Sequence, residues 1–131
     1  MNKTKIILDT NFLLIPAQFN VDIFSEFKRV CDFKYELCIM EGSLEELEKI
    51  QKDENQKGSD KRAAKMALSL LKKQEHKIIK SGIEHVDDAI IDYCKKHECA
   101  VATQDALLKK RLKEHGRKII ILRSRKFLKI E

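Results

Sequence analysis

No apolar run in this sequence approaches the roughly 18 to 20 residues that a membrane-spanning helix needs, so a helical membrane anchor is not expected. Its first residues also lack the basic-then-apolar layout of a secretory signal, because Asp9 and Asn11 interrupt the apolar stretch. A soluble, cytoplasmic chain is the expectation. The four cysteines, Cys31, Cys38, Cys94 and Cys99, form no CxxC pair, the four histidines make no HxxxH, and the single CxxH, Cys94 with His97, has no second pair to complete it. A zinc site therefore lacks the second ligand pair it would need. Set in "ELCIM", "IDYCKK" and "ECAVAT", the cysteines read as buried free thiols. There is no internal repeat and no low-complexity segment.

What is present is a chain of 131 residues, 43% apolar and 37% charged. That describes one globular domain with a heavily charged surface. The net charge of +6 is uneven: residues 104–131 hold 10 Lys and Arg against 3 Asp and Glu, whereas residues 1–55 hold 7 against 11. Such polarity suits a polyanionic partner, and equally a plainly solvated lysine-rich face.

Short apolar runs alternate with longer amphipathic segments. Strands are expected at Lys5–Leu8, Glu36–Met40, Lys77–Lys80, Ala100–Thr103 and Lys118–Leu122. Helices are expected over "VDIFSEFKRVC", "SLEELEKIQ", "SDKRAAKMALSLLKKQ" with Ser59 as N-cap, "DDAIIDYCKKH", and "DALLKKRLKEHG" stopped by Gly116. The alternation predicts an α/β fold with a largely parallel sheet of about five strands flanked by helices.

In such a sheet, ligands bind beyond the carboxyl ends of the strands. In "IILDTNFLLIP", Asp9 follows a strand of the fully buried type and leads straight back into apolar residues. A carboxylate there is costly to desolvate unless something pairs with it. Asp105 follows the fourth strand, Asp87 and Asp88 open the helix before it, and Glu45 and Glu46 follow the second strand. Carboxylates gathered on one edge repel unless a divalent cation neutralises them. Oxygen donors alone point to Mg²⁺ or Mn²⁺.

Capping competes for most of these acids. Ser43-Leu44-Glu45-Glu46 fits the capping box, Asp87 could cap a helix starting at Asp88, and Thr103 could cap the last helix with Asp105 in its first turn. His85, beside Asp87, is open to a site or a surface role. Asp9 has no such alternative.

"LDTNFLL", "EELEKI", "VDDAII" and "VATQDALLKKRL", in this order and over nearly the whole chain, resemble the PIN-domain nucleases. The likeness is to the archaeal group similar to VapC toxins and to the PIN endonuclease of small-subunit ribosomal RNA processing. It implies Mg²⁺- or Mn²⁺-dependent cleavage of single-stranded RNA. Matched motif by motif, it implies Asp9, Glu46, Asp88 and Asp105 as catalytic acids. Asp9, Asp88 and Asp105 would hold metal, and Asp87 remains an alternative to Asp88. Asn11 and Thr103 are candidates for supporting the ligands through hydrogen bonds, with Asn11 equally open to a plain turn role. Gln104 stands where relatives often have Asn, and Val86 where they have a small residue. Lys61, Arg62, Lys109 and Lys113 are the candidate RNA contacts, with solvated helix faces as the competing explanation. Without tryptophan, and with two tyrosines, base stacking is expected to be minor. An antitoxin, a ribosome-processing partner and a second copy of the chain are the protein partners to consider. Two other readings compete. A non-catalytic PIN-fold subunit would have lost acids, and all four are present. A haloacid-dehalogenase-type phosphoryl transferase would need D-x-D-x-T, and Asn11 takes the second acid's place.

Overall fold

The computed structural model describes residues 3–131. Along the chain run β1 (Thr4–Leu8), a 3-10 turn (Asn11–Leu14), α1 (Ile15–Phe19), α2 (Ile23–Val30), β2 (Tyr35–Met40), α3 (Glu41–Lys52) and α4 (Gly58–Lys73). They are followed by β3 (Lys77–Ile79), α5 (Val86–Lys96), β4 (Cys99–Ala102), α6 (Ala106–Glu114), β5 (Lys118–Arg123) and β6 (Phe127–Ile130). The strands form one sheet in the order β3-β2-β1-β4-β5-β6, parallel except for β6.

From β1 the chain winds outward through β2 and β3, then returns to lay β4 on the other side of β1. The carboxyl ends of β1 and β4 therefore flank the point where the winding reverses, which is where α/β sheets open a crevice.

The uninterrupted Ile6-Ile7-Leu8 is explained by helices on both faces. Ile6 and Leu8 pack with Phe12, Phe27 and Leu47 on one side. Ile7 packs with Ile90, Leu108 and Leu112 of α5 and α6 on the other. All five expected strands form, with ends shifted by a residue or so. Helix α4 starts at Gly58 with Lys57 as its N-cap residue, so Ser59 is inside the helix and does not cap it. Gly116 stops α6 with φ +68°, as expected. The four thiols are free, three of them buried. Among the described residues no helix is long and apolar enough to cross a membrane.

The sixth strand was not expected. It joins β5 through a tight turn in which Ser124 (φ 54°) and Arg125 (φ 57°) are both left-handed, and Lys126 N–H closes the turn on Arg123 O at 3.1 Å. Hairpin turns with two left-handed residues are usually marked by Asn-Gly. Here Ser-Arg conceals the turn. At the free edge of β6, Leu128 N–H donates to Glu26 Oε1 at 2.8 Å, and Leu128 O accepts from Arg29 Nη2 at 2.8 Å. Glu26 and Arg29, themselves paired at 2.9 Å, thus hold α2 to the sheet edge.

Candidate active site

Asp9 is the first residue past β1. Its N–H donates to Ala102 O at 3.0 Å, and its C=O accepts from Phe12 N at 3.0 Å, so the backbone is held between strand pairing and the 3-10 turn. The residue is 4% exposed. Oδ1 accepts from Thr10 N–H at 2.8 Å, and Oδ2 accepts from the Thr103 hydroxyl at 2.9 Å.

Thr103 also joins Asp9 to the next acid, because its oxygen accepts the N–H of Asp105 at 3.1 Å. Asp105 is the N-cap residue of α6, its Oδ1 accepting from Leu108 N at 2.8 Å. Thr103 therefore does not cap α6. It binds the two carboxylate-bearing residues together instead.

On the other side, Thr10 Oγ1 lies 2.8 Å from Ser43 Oγ and 3.0 Å from Glu46 Oε1. Its single proton goes to the carboxylate, the stronger acceptor, which leaves the Ser43 hydroxyl to donate to Thr10. The expected capping box is absent: α3 begins at Glu41, two residues ahead of Ser43, and Ser43 is fully buried. Glu46 is left at the exposed end of a hydroxyl chain leading from β1. Thr10 and Ser43 were not among the expected site residues. The D-T-N stretch carried the signal for Thr10, and the capping-box likeness masked Ser43.

Among the described residues the interior buries four polar side chains, Asp9, Thr10, Ser43 and Thr103, and all four belong to this network. Buried polar groups are costly unless satisfied. Here the cost is concentrated at the sheet's switch point.

The two candidate acids of α5, Asp87 and Asp88, are placed differently. Helix α5 starts at Val86, with His85 as its N-cap residue, so Asp87 does not cap it. Asp88 points outward, side chain 52% exposed, and pairs with Arg111 Nη2 at 3.0 Å. Asp87 is half-buried and faces the other acids. Burial, then the charge of Asp105, raises its pKa, opposed by Arg111. Asp9 is pushed up to about 6, by burial first, with the Thr103 hydrogen bond opposing and the charges of Asp87 and Asp105 adding to the rise. The Val86 methyl (Cγ2) lies 3.0 Å from where a Cβ on Gly42 would be. That absent side chain lets the first turns of α3 and α5 close around the site. Asn11 is exposed, and Thr10 and Thr103 supply the hydrogen bonds to Asp9.

Asp9, Asp87 and Asp105 are thus oxygen donors among which the charges of Asp87 and Asp105 disfavour the ionised Asp9, and that of Asp105 the ionised Asp87, a mismatch that a hard divalent cation would relieve. The donor set fits Mg²⁺ or Mn²⁺. Among the described residues no three acidic, cysteine or histidine side chains already converge on a single point.

The expected basic contacts are divided between the two faces. Lys109 and Lys113 share one face of α6, where Lys113 Nζ lies 3.6 Å from Glu131 Oε2. Lys61 and Arg62 lie on α4, which packs on the opposite side of the sheet.

Comparison with known proteins identifies the family. The family described as "PIN like domain" matches residues 6–125. The chain belongs to the PIN-domain family. It is 33% identical to "Ribonuclease VapC4" of Methanocaldococcus jannaschii over 127 residues, 96% of this chain and 95% of that one. Its fold matches the "PIN domain endonuclease Utp24" with TM-score 0.80 and 25% identity, covering 97% of this chain and 90% of that chain. A domain of a protein of unknown function from M. jannaschii shares the fold alone, at TM-score 0.63 and 17% identity, over 92% of each chain. With a ribonuclease and an endonuclease among its relatives, this PIN domain is placed with the nucleases.

Proposed function

We propose that this PIN domain is a divalent-metal-dependent endoribonuclease that hydrolyses single-stranded RNA at Asp9, Asp87 and Asp105, with Glu46 beside them. The observation that carries this is the network of the four buried polar side chains, built around a carboxylate whose charge is destabilised first by burial and then by its acidic neighbours. The relative named a ribonuclease and the structural neighbour named an endonuclease support RNA as substrate and internal cleavage as the mode.

A Mg²⁺ or Mn²⁺ ion held by the three aspartates would neutralise the scissile phosphate and acidify an attacking water. Thr103 and the Thr10 N–H fix the Asp9 carboxylate in orientation. Glu46, steadied by Thr10 and open to solvent, accepts the proton of the attacking water. Asp87 takes the role the motif gave to Asp88, whose charge Arg111 already engages. Lys61, Arg62, Lys109 and Lys113 contribute attraction for the phosphate backbone. An antitoxin or ribosome-processing partner, a second copy of the chain and a cytoplasmic site of action go with this reading.

The test is a gel assay on end-labelled single-stranded RNA with Mn²⁺, Mg²⁺ or EDTA, comparing wild type with Asp9→Asn. Metal-dependent internal cleavage lost in the variant is expected. Equal cleavage by both proteins would refute the assignment.

A further inference from the structure

At the opposite edge of the sheet from the acids, the amino ends of β1, β4 and β5 enclose a concavity of about 800 Å³. Six cationic side chains line it, Lys3, Lys5, Lys77, Lys96, Arg117 and Lys118, against the two carboxylates Glu36 and Glu98. Two of the cations have partners: Lys77 pairs with Glu36 at 3.4 Å, and Lys96 with Asp92 at 3.2 Å. Among the ion pairs of the described residues, none involves Lys5, Arg117 or Lys118. A concave surface with a clear excess of positive charge concentrates its field and favours a polyanion.

Two of these cations are fixed in advance. Lys5 Nζ donates to the Tyr93 hydroxyl at 2.9 Å. Arg117 Nε donates to Cys94 O at 2.8 Å, which leaves both Nη groups of its fork for another acceptor. Side chains already held lose less freedom when they grip a ligand. Tyr93 in turn stacks on His97, ring centroids 4.3 Å apart, and His97 lines the cavity. Fixed cations beside an aromatic face are what a single strand's phosphates and bases require.

We infer that this concavity is a second, non-cleaving site for the phosphate backbone of single-stranded RNA. The inference rests on the proposed function for its ligand, RNA, and not for its chemistry. The five residues of β1 span about 16 Å, so only a strand of many nucleotides can reach both the acids and this cavity. A small polyphosphate shares the recognised chemistry, and the test separates the two.

The test uses full-length protein carrying Lys3→Glu and Lys118→Glu, both at exposed positions, with circular dichroism to verify the fold. Fluorescence anisotropy in the Asp9→Asn background measures affinity for a twenty-nucleotide RNA and for a trinucleotide. Cleavage of a short RNA is followed with Asp9 intact. We expect the long RNA to bind at least tenfold more weakly, while trinucleotide binding and short-RNA cleavage stay unchanged. Arg117→Gln should weaken the long RNA in the same direction. Unchanged affinity for the long RNA would overturn the inference. So would an equal loss for both lengths, which would mark a diffuse charge effect, or inorganic triphosphate binding that is lost in the variant while RNA binding persists. If the unmodified protein cleaves no RNA but the variant still loses the long strand, this site stands and the catalytic reading fails.

Discussion

Thr103 holds Asp9 from the neighbouring strand end: its hydroxyl donates to Oδ2 at 2.9 Å and, through the same oxygen, accepts the N–H of Asp105 at 3.1 Å. Replacing it with Val, nearly equal in shape, removes both contacts inside a fully buried site. Stability should fall by about 1–3 kcal/mol, the cost of unsatisfied buried groups. Because that hydrogen bond holds the Asp9 pKa down, the acid limb of the pH–rate profile should move to higher pH in Thr103→Val and stay in place in Thr103→Ser. A limb that does not move in the Val variant would remove Thr103 from the site's chemistry.

The buried charge of Asp9 should oppose folding in metal-free protein. Its pKa rises from 3.8 to about 6 on folding, so its neutral form suits the folded state. That advantage is complete below about pH 4 and is lost as pH rises through about 6. The loss is at most about 3 kcal/mol. Asp9→Asn keeps an acceptor for Thr10 N–H and carries no charge, so in EDTA it should melt higher than wild type at pH 7.5 and show little advantage at pH 4. Identical melting temperatures at pH 7.5 would count against a strained charge.

Divalent ions should reverse that order. A cation that binds the folded site stabilises it by mass action, and it requires the deprotonated acid. Mn²⁺ should raise the melting temperature of wild type more at pH 7.5 than at pH 5, and barely that of Asp9→Asn. Thermal-shift titrations over both pH values provide the measurement.

Glu46→Gln retains an oxygen for the Thr10 hydroxyl, so stability should stay within about 0.5 kcal/mol. Turnover should drop about 10²-fold or more with the loss of a proton acceptor. Retained turnover would make Glu46 a mere anchor for Thr10.

Adjacent aspartates should differ sharply. Asp87→Asn should abolish metal-dependent cleavage. Asp88→Asn removes only a half-exposed pair with Arg111, worth about 0–1 kcal/mol, and should leave most activity. Single-turnover rates for the two variants decide between them, and the reverse order would restore Asp88 as the ligand.

The contrast between these two residues shows what the sequence could convey. Asp9 was legible because it breaks a strand buried on both faces, and Asp105 because it follows Ala-Val-Ala-Thr at the end of the adjoining strand. Asp87 and Asp88 differ by about 100° around a helix, so choosing between them requires the helix start. Tight packing of Val86 near Gly42 accompanies that start, where no capping side chain does. Ser43 misled for a related reason: S-x-x-E has the same spelling inside a helix as at its beginning. β6 was hidden because its turn uses left-handed Ser124 and Arg125 where Asn-Gly would have announced it.

The clasp on β6 gives the sheet a direction of growth. An edge strand normally offers its unpaired backbone groups to any passing extended chain. At Leu128 both groups are already taken by Glu26 and Arg29, so a strand arriving there must first break two charge-assisted hydrogen bonds and lift α2 away. The opposite edge, β3, is only three residues long and is the margin left for another strand. At Leu128 the β6 edge is therefore guarded by a side-chain clasp that, among the described residues, the β3 edge lacks.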